Sequence, residues 1–196
     1  MLWRRAKGRG PLVVLLHGNG ADERDFFPLE ALFPADASVA ALRGPIASEG
    51  GYRWYAHHDV GRPIASSLAQ GMQYVDAWLS AQSPARVWLV GFSGGAVMAS
   101  ALVLAAPDRF AGVAMLHGTL PFDAGVPIEA GRLAGCEVFY GYGEQDAVIP
   151  PALTVRSRTY LREESGARVE IHGYRAAHDL PPAEQHDLVN WYAALT

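Results

Sequence analysis

The sequence predicts an α/β fold: a mostly parallel sheet with helices on both faces. Three observations carry that reading. Short apolar runs (Leu12 to Leu16, Val87 to Val90 and Gly112 to Leu116) are too short for helices and lack polar alternation, which suits strands buried on both sides. Segments of helical spacing lie between such runs; Ile64, Leu68, Met72, Val75, Trp78 and Leu79 share one face. The alternation of the two covers the chain, with no repeat and no low-complexity stretch. With 196 residues, half of them apolar, the chain is expected to form one domain over residues 1–196.

The elements follow in order. Residues 2 to 6 read as a short edge strand and Gly8-Arg9-Gly10-Pro11 as a turn. Leu12 to Leu16 is a buried strand running into the loop His17-Gly18-Asn19-Gly20. Asp22 to Phe33 reads as a short helical segment carrying Phe26, Phe27, Leu29, Leu32 and Phe33, with Pro28 limiting its length or marking its start. Ser38 to Leu42 is the next strand. Residues 46–63 read as a long loop, and Ile64 to Ser80 as a helix. Val87 to Val90 is a strand and Ala96 to Ala105, small and apolar, a buried helix. Pro107-Asp108 ends that helix, and Gly112 to Leu116 returns as a strand. A Pro/Gly-rich loop spans Thr119 to Leu133, and Cys136 to Tyr140 is a strand. Pro150-Pro151 opens a helix running to about Glu164, and Gly166 suits its end. Arg168 to Gly173 is the last strand. Pro181-Pro182 opens a final helix with Leu188, Val189, Trp191, Tyr192 and Leu195.

Composition narrows the classes of partner. A net charge of −4 and a pI near 5.9 give no pull toward nucleic acid or an anionic membrane. The one basic cluster, Arg4, Arg5, Lys7 and Arg9, reads as a solvated edge. No apolar run approaches the roughly 18 residues of a membrane span, so no stable membrane insertion is expected. No apolar stretch backs the N-terminal charges, so no signal peptide is expected. The lone Cys136 begins an apolar run and reads as a core residue, which fits a reducing cytoplasm. The sequence leaves the oligomeric state open, a homodimer included.

The chemistry centres on Gly91-Phe92-Ser93-Gly94-Gly95. A G-x-S-x-G turn from strand into helix strains its pivot and needs small residues two before and two after, because the elements nearly touch there. The plain alternative is a Gly-Ser turn in a chain with 21 glycines. In a parallel sheet the site lies at the C-terminal ends of the strands, so the loops after Leu16, Val90, Tyr140 and Gly173 share one rim. A serine hydroxyl needs a base, and the base an orienting acid. Asp146 and His178 lie on that rim, in the chain order Ser, Asp, His of α/β-hydrolases.

Competing residues have plainer readings. His172 falls in a strand and His186 on a helix surface. His117 ends a strand without an acid suitably placed after it. His57, His58 and Asp59 hint at a metal, but adjacent loop histidines read better as solvated, so no metal or cofactor is expected. Asp123 is a rival orienting acid on the Pro/Gly-rich loop. His17 reads as a loop-fixing residue. A developing oxyanion would take the N–H of Gly94 and a second donor from the loop holding Asn19. Leu12 to Gly20 also reads as strand then G-x-G, a dinucleotide signature weakened by Glu23 where a third glycine or alanine is needed.

With these residues in place, the chain resembles the phospholipase/carboxylesterase branch of the α/β-hydrolases, which includes bacterial carboxylesterases and acyl-protein thioesterases. The match runs through residues 15–23, Gly91-Phe92-Ser93-Gly94-Gly95-Ala96, residues 143–150 and His178-Asp179-Leu180-Pro181-Pro182. The resemblance implies Ser93 as nucleophile, His178 as general base then acid, Asp146 as its orienting carboxylate, and the N–H groups of Asn19 and Gly94 as the oxyanion hole. It implies about seven strands, no separate cap domain, and a chain too short for the first antiparallel strand of the full fold. The chain departs from the family in carrying Gly94 where members have Gln or Asn, and Ala177 where a glycine is common. The open site is expected to be bordered by Trp54, Tyr55, Phe122 and Tyr142, which could equally be core. The implied activity is hydrolysis of small carboxylic esters. A thioesterase or lysophospholipase uses the same chemistry; a non-catalytic small-molecule binder is the alternative from another class.

Overall fold

The computed structural model describes residues 1–4, 10–82 and 86–196. The edge strand expected over residues 2–6 is present as β1, Leu2–Arg4. Its expected continuation, the turn at residues 8–9 and three of the four basic residues of that cluster (Arg5, Lys7 and Arg9) lie outside the described residues. Then come β2 (Leu12–Leu16) and α1 (Glu23–Phe26), which passes into a 3-10 turn at Phe27–Leu32. Asp22 caps α1: its carboxylate accepts the Arg24 N–H while Asp25 accepts that of Asp22, a reciprocal box that fixes where the helix starts. Next are β3 (Ser38–Leu42), β4 (Ile46–Ser48), β5 (Gly51–Arg53), β6 (His57–Asp59) and β7 (Arg62–Pro63). The remainder is α2 (Ala65–Gln82), β8 (Val87–Phe92), α3 (Gly94–Ala105), β9 (Gly112–Leu116), β10 (Glu137–Gly143), α4 (Pro151–Thr159), β11 (Arg168–Tyr174) and α5 (Pro182–Leu195).

Among the described residues the main sheet has seven strands in the order β1-β3-β2-β8-β9-β10-β11. Six run parallel, and β1 pairs antiparallel with β3, closing that edge. The sheet thus keeps one antiparallel strand despite the short chain. Side-chain alternation splits the core in two. Leu12, Val14, Leu16, Leu89 and Tyr140 point to the face covered by α2, α3 and the segment after α4. Val13, Leu15, Trp88, Val90 and Phe139 point to the face covered by Phe26, Phe33 and the Leu188, Trp191 and Tyr192 stripe of α5. Coverage on both sides is why these strands read as unbroken apolar runs.

Two segments differ from the reading above. Residues 46–63 are two small antiparallel hairpins, β4–β5 and β6–β7, not one loop. Their strands are too short for an alternation pattern; long-range bonds hold the first. Gly20 N–H donates to Tyr52 C=O and Tyr52 N–H to Ala21 C=O, each at 2.9 Å, so β5 docks on the loop after β2. A side chain on Gly51 would strike the carbonyls of Gly20 and Ala21. The helix expected to reach Glu164 is regular only to Thr159. A wider π turn, Tyr160–Glu164, follows, closed by the Ser165 N–H on Tyr160 C=O at 2.8 Å.

Candidate active site

The turn from β8 into α3 is as tight as its glycines imply. A Cβ on Gly91 would strike the Gly95 carbonyl, and one on Gly95 would strike the backbone of Leu16 and His17. Ser93 between them takes φ 53° and ψ −117°, left-handed backbone that is costly for a residue with a side chain. Its own N–H donates to Leu116 C=O at 2.9 Å, anchoring the pivot to β9. Gly94 is the first residue of α3, so its N–H is one of the helix N-terminal donors that have no acceptor within the helix.

Two backbone ties bring the loops after β10 and β11 together: Glu144 N–H to Tyr174 C=O (2.8 Å) and Gln145 N–H to Ala176 C=O (3.0 Å). They set Asp146 beside His178. Asp146 Oδ1 accepts the N–H groups of Val148 and Ile149 at 2.8 and 3.0 Å. Asp146 Oδ2 lies 2.7 Å from His178 Nδ1, and His178 Nε2 lies 2.9 Å from Ser93 Oγ. Burial works to raise the Asp146 carboxyl, but His178 and the two backbone donors outweigh it and hold it below the usual carboxylate range. The side chain of Asp146 is nearly closed to water while that of His178 is 18% exposed, so the ring alone meets the cleft. Ala177 needs no positive φ, so the missing glycine before the histidine costs the loop nothing.

The loop after β2 forms the opposite wall. His17 is buried, with Nδ1 2.7 Å from Gly18 C=O and Nε2 accepting the Gly44 N–H at 3.0 Å, so the ring is neutral. Burial pushes its pKa down. This arrangement matches the loop-fixing role expected of it. The Asn19 side chain lies over Gly94: a Cβ there would crowd the Asn19 amide. The space that a longer residue would take at position 94 is thus filled from the facing loop.

A cleft of about 540 Å³ opens over Ser93 and His178, walled by Gly18, Asn19, Phe26, Leu29, Leu32, Phe92 and Leu180. The four aromatics expected to border it do not. Trp54 is 0% exposed, and its indole N–H donates to His17 C=O at 2.8 Å, bracing the loop from beneath. Tyr55 is core, its phenol pushed far up by burial. Phe122 is buried under the Arg156 guanidinium, 3.8 Å from its ring centre. Tyr142 is half-buried against Tyr140 and Arg158. All four pack on the sheet face of α2 and α3, whereas the cleft opens toward α1. The wall comes from the helical segment after β2, whose Phe26, Leu29 and Leu32 the sequence marked only as apolar spacing.

The site holds a residue that sequence reasoning set aside. His117, at φ 48° just after β9, is fully buried. Its Nε2 lies 2.9 Å from Glu184 Oε2 and its Nδ1 3.4 Å from Asp146 Oδ2. The acids missing from its sequence neighbourhood come from α5 and from the loop after β10. Glu184 was detectable: it shares the apolar face of α5 with Leu188 and Trp191. Burial would lower the His117 ring, but Glu184 and then Asp146 outweigh it and raise it. Burial raises the Glu184 carboxyl, and the facing ring pulls it part of the way back. Other candidates fall away. Asp123 is exposed and pairs with Arg156, His186 is exposed, and His172 stacks on Phe139. His57 and His58 join no ligand cluster among the described residues. Among the described residues the one group close enough to share a cation is His117, Asp146 and His178, with donor atoms within 4.8 Å of one another. Those atoms already face one another or Ser93 as hydrogen-bond partners. Glu23, where a dinucleotide loop needs a small residue, is buried and bound to Arg43.

The strained elbow, the parallel sheet with its rim of loops and the serine–imidazole–carboxylate line define a hydrolase of the α/β-hydrolase fold. The family model described as Phospholipase/Carboxylesterase matches residues 4–195. The chain belongs to that family. It is 26% identical over 187 residues to the putative hydrolase MhqD of Bacillus subtilis (strain 168), covering 92% of each. It is 26% identical over 166 residues to acyl-protein thioesterase 1 of Schizosaccharomyces pombe, covering 76% of this chain and 74% of that protein. The solved carboxylesterase from Mesorhizobium loti superposes with a TM-score of 0.84 at 27% identity, over 96% of this chain and 90% of that one.

Proposed function

We propose that the protein is a serine carboxylesterase that hydrolyses carboxylic esters through an acyl-enzyme. One observation carries this reading: the unbroken line from Ser93 Oγ to His178 Nε2 at 2.9 Å and from His178 Nδ1 to Asp146 Oδ2 at 2.7 Å. His178 takes the Ser93 proton as Oγ attacks the ester carbonyl. Asp146 holds the ring in the tautomer with hydrogen on Nδ1 and stabilises the imidazolium that forms. The N–H groups of Asn19 and Gly94 face the developing oxyanion. His178 returns the proton to the leaving alkoxide, which departs as alcohol. A water molecule then gives its proton to His178 and attacks the acyl-serine; collapse returns the proton to Oγ and releases the carboxylic acid.

The cleft lining supports esters with an apolar group on one side. Phe26, Leu29, Leu32, Phe92 and Leu180 line it, its charged members are Asp25 and Asp179, and no Lys or Arg lines it among the described residues. The same wall supports a second reading, a thioesterase with an apolar acyl chain, which differs in leaving group and not in machinery.

A fluorophosphonate probe tests the assignment. It labels the wild-type protein at Ser93 and leaves Ser93→Ala unlabelled, and Ser93→Ala loses nitrophenyl-ester turnover by several orders of magnitude. Undiminished turnover in Ser93→Ala rules the assignment out. A matched series of esters and thioesters of increasing chain length then decides between the two readings.

A further inference from the structure

We propose that Glu184 and His117 are positioning residues of this site, extending its hydrogen-bonded line to Glu184–His117–Asp146–His178–Ser93 and fixing the carboxylate on which the base depends. The inference rests on the roles of Ser93, His178 and Asp146 given above.

The placement is tightly built. Both members of the added pair are at most 1% exposed, set among apolar core residues. Glu184 Oε1 has no hydrogen-bond partner among the described residues, so the carboxyl group is committed to the ring through Oε2. Burying such a group is costly and returns little stability on its own. Backbone gives way to it as well. A Cβ on Gly141 would strike the Glu184 carboxyl, and one on Gly143 would crowd the His117 ring. His117 accepts a left-handed φ of 48° while its N–H stays bonded to Gly141 C=O at 2.9 Å, which aims the ring across the sheet end.

Hydrogen placement gives the pair its task. Asp146 Oδ2 faces two imidazoles, His178 at 2.7 Å and His117 at 3.4 Å. An ionised carboxylate only accepts, so His117 must present an N–H there. An ionised Glu184 meets that need by holding His117 as an imidazolium. A protonated Glu184 meets it by donating to Nε2, leaving hydrogen on Nδ1. In both states His117 Nδ1–H points at Asp146. Take His117 away and Asp146 keeps two backbone donors on Oδ1 but only His178 on Oδ2, free to swing with the ring it should orient. The charged groups around the line are Asp146 and His178 at one end, and at the other Glu184, which feels Asp179 and Asp187.

Kinetics and spectroscopy test this together. His117→Phe and Glu184→Leu should lower kcat roughly tenfold with KM little changed, since the base is loosened and the cleft is not. Loss of a donor makes Asp146 more basic and draws the proton more strongly onto His178, so the acid limb of kcat/KM moves to higher pH. Glu184→Gln keeps a polar partner for the ring and should restore most of kcat. Folded variants that leave both kcat and the acid limb where the wild type has them overturn the proposal, as does Glu184→Gln behaving like Glu184→Leu. The wild-type protein supplies the arm that needs no variant to fold. Nitrogen NMR of labelled imidazoles should find His117 Nδ1 protonated on both sides of about pH 7, and a bare Nδ1 overturns the proposal. Probe labelling of Ser93 reports separately on the hydrolase reading, so the failure of one is told from the failure of the other.

Discussion

Ser93 pays for its exposure in backbone energy. A left-handed φ on a residue with a side chain costs on the order of 1–3 kcal/mol, and the N–H to Leu116 is among the contacts that hold it there. Ser93→Gly should therefore unfold about 1 kcal/mol later in denaturant while losing all turnover, a separation that equilibrium unfolding and an ester assay measure side by side. Gly95 works the other way: any side chain meets the backbone of β2 head-on. Gly95→Ala should cost roughly 2–4 kcal/mol, read in the same unfolding experiment. Asp146→Asn keeps the shape but not the charge that favours the correct His178 tautomer, and turnover should fall by about 10⁴. At this scale the convergence of Ser93, Asp146 and His178 was legible because motif, rim and chain order agree. Glu184 is passed over, because a charged residue after two prolines reads as a solvated first turn, although its spacing sets it on the apolar face of α5 with Leu188 and Trp191.

Whole elements were legible where burial wrote itself into composition. β2, β3 and β9 fall where their apolar runs predict, and α2 where its spacing does. The hairpins over residues 46–63 were not: strands of two or three residues carry no alternation, and β4–β5 takes its order from docking on the Gly20–Ala21 backbone. The aromatic wall was misplaced for a related reason: Trp54 and Tyr55 follow β5 into the core, and no periodicity says so. α1 is tied down through Glu23, whose Oε2 meets Arg43 Nε at 2.6 Å, linking its first turn to the end of β3, and whose Oε1 meets the Met1 amine at 2.7 Å. Burial would raise the Glu23 carboxyl, but Arg43 and the Met1 amine hold it at about 2 against an ordinary 4.5. A lowered carboxyl contributes stability above its ordinary value and loses it as pH falls through the folded one. Arg43→Met should thus lower the melting temperature at neutral pH, and its gap from wild type should close between about pH 4.5 and 2.

Across the molecule, acid should act in stages. His17 is buried as a neutral ring, its pKa lowered from 6.5. Its stabilising share is complete above 6.5 and drains as pH drops below that, because the unfolded chain binds the proton more readily. Asp146, also lowered, gives up its share only in the carboxylate range. The wild type's lead over His17→Gln in melting temperature should therefore shrink as pH drops below 6.5, while the loss tied to Asp146 begins only in the carboxylate range and is the same in both proteins. Among the described residues no helix is long and apolar enough to cross a membrane.

The wall made by Phe26, Leu29 and Leu32 belongs to the shortest helix and its 3-10 continuation, outside the strands that carry the reacting groups. Selectivity and chemistry therefore ride on separable pieces of chain. Changes within that ten-residue stretch, Glu23 to Leu32, can widen or narrow the entrance while the proton relay keeps its spacing. New tastes in substrate are thus open to this scaffold by local exchange alone.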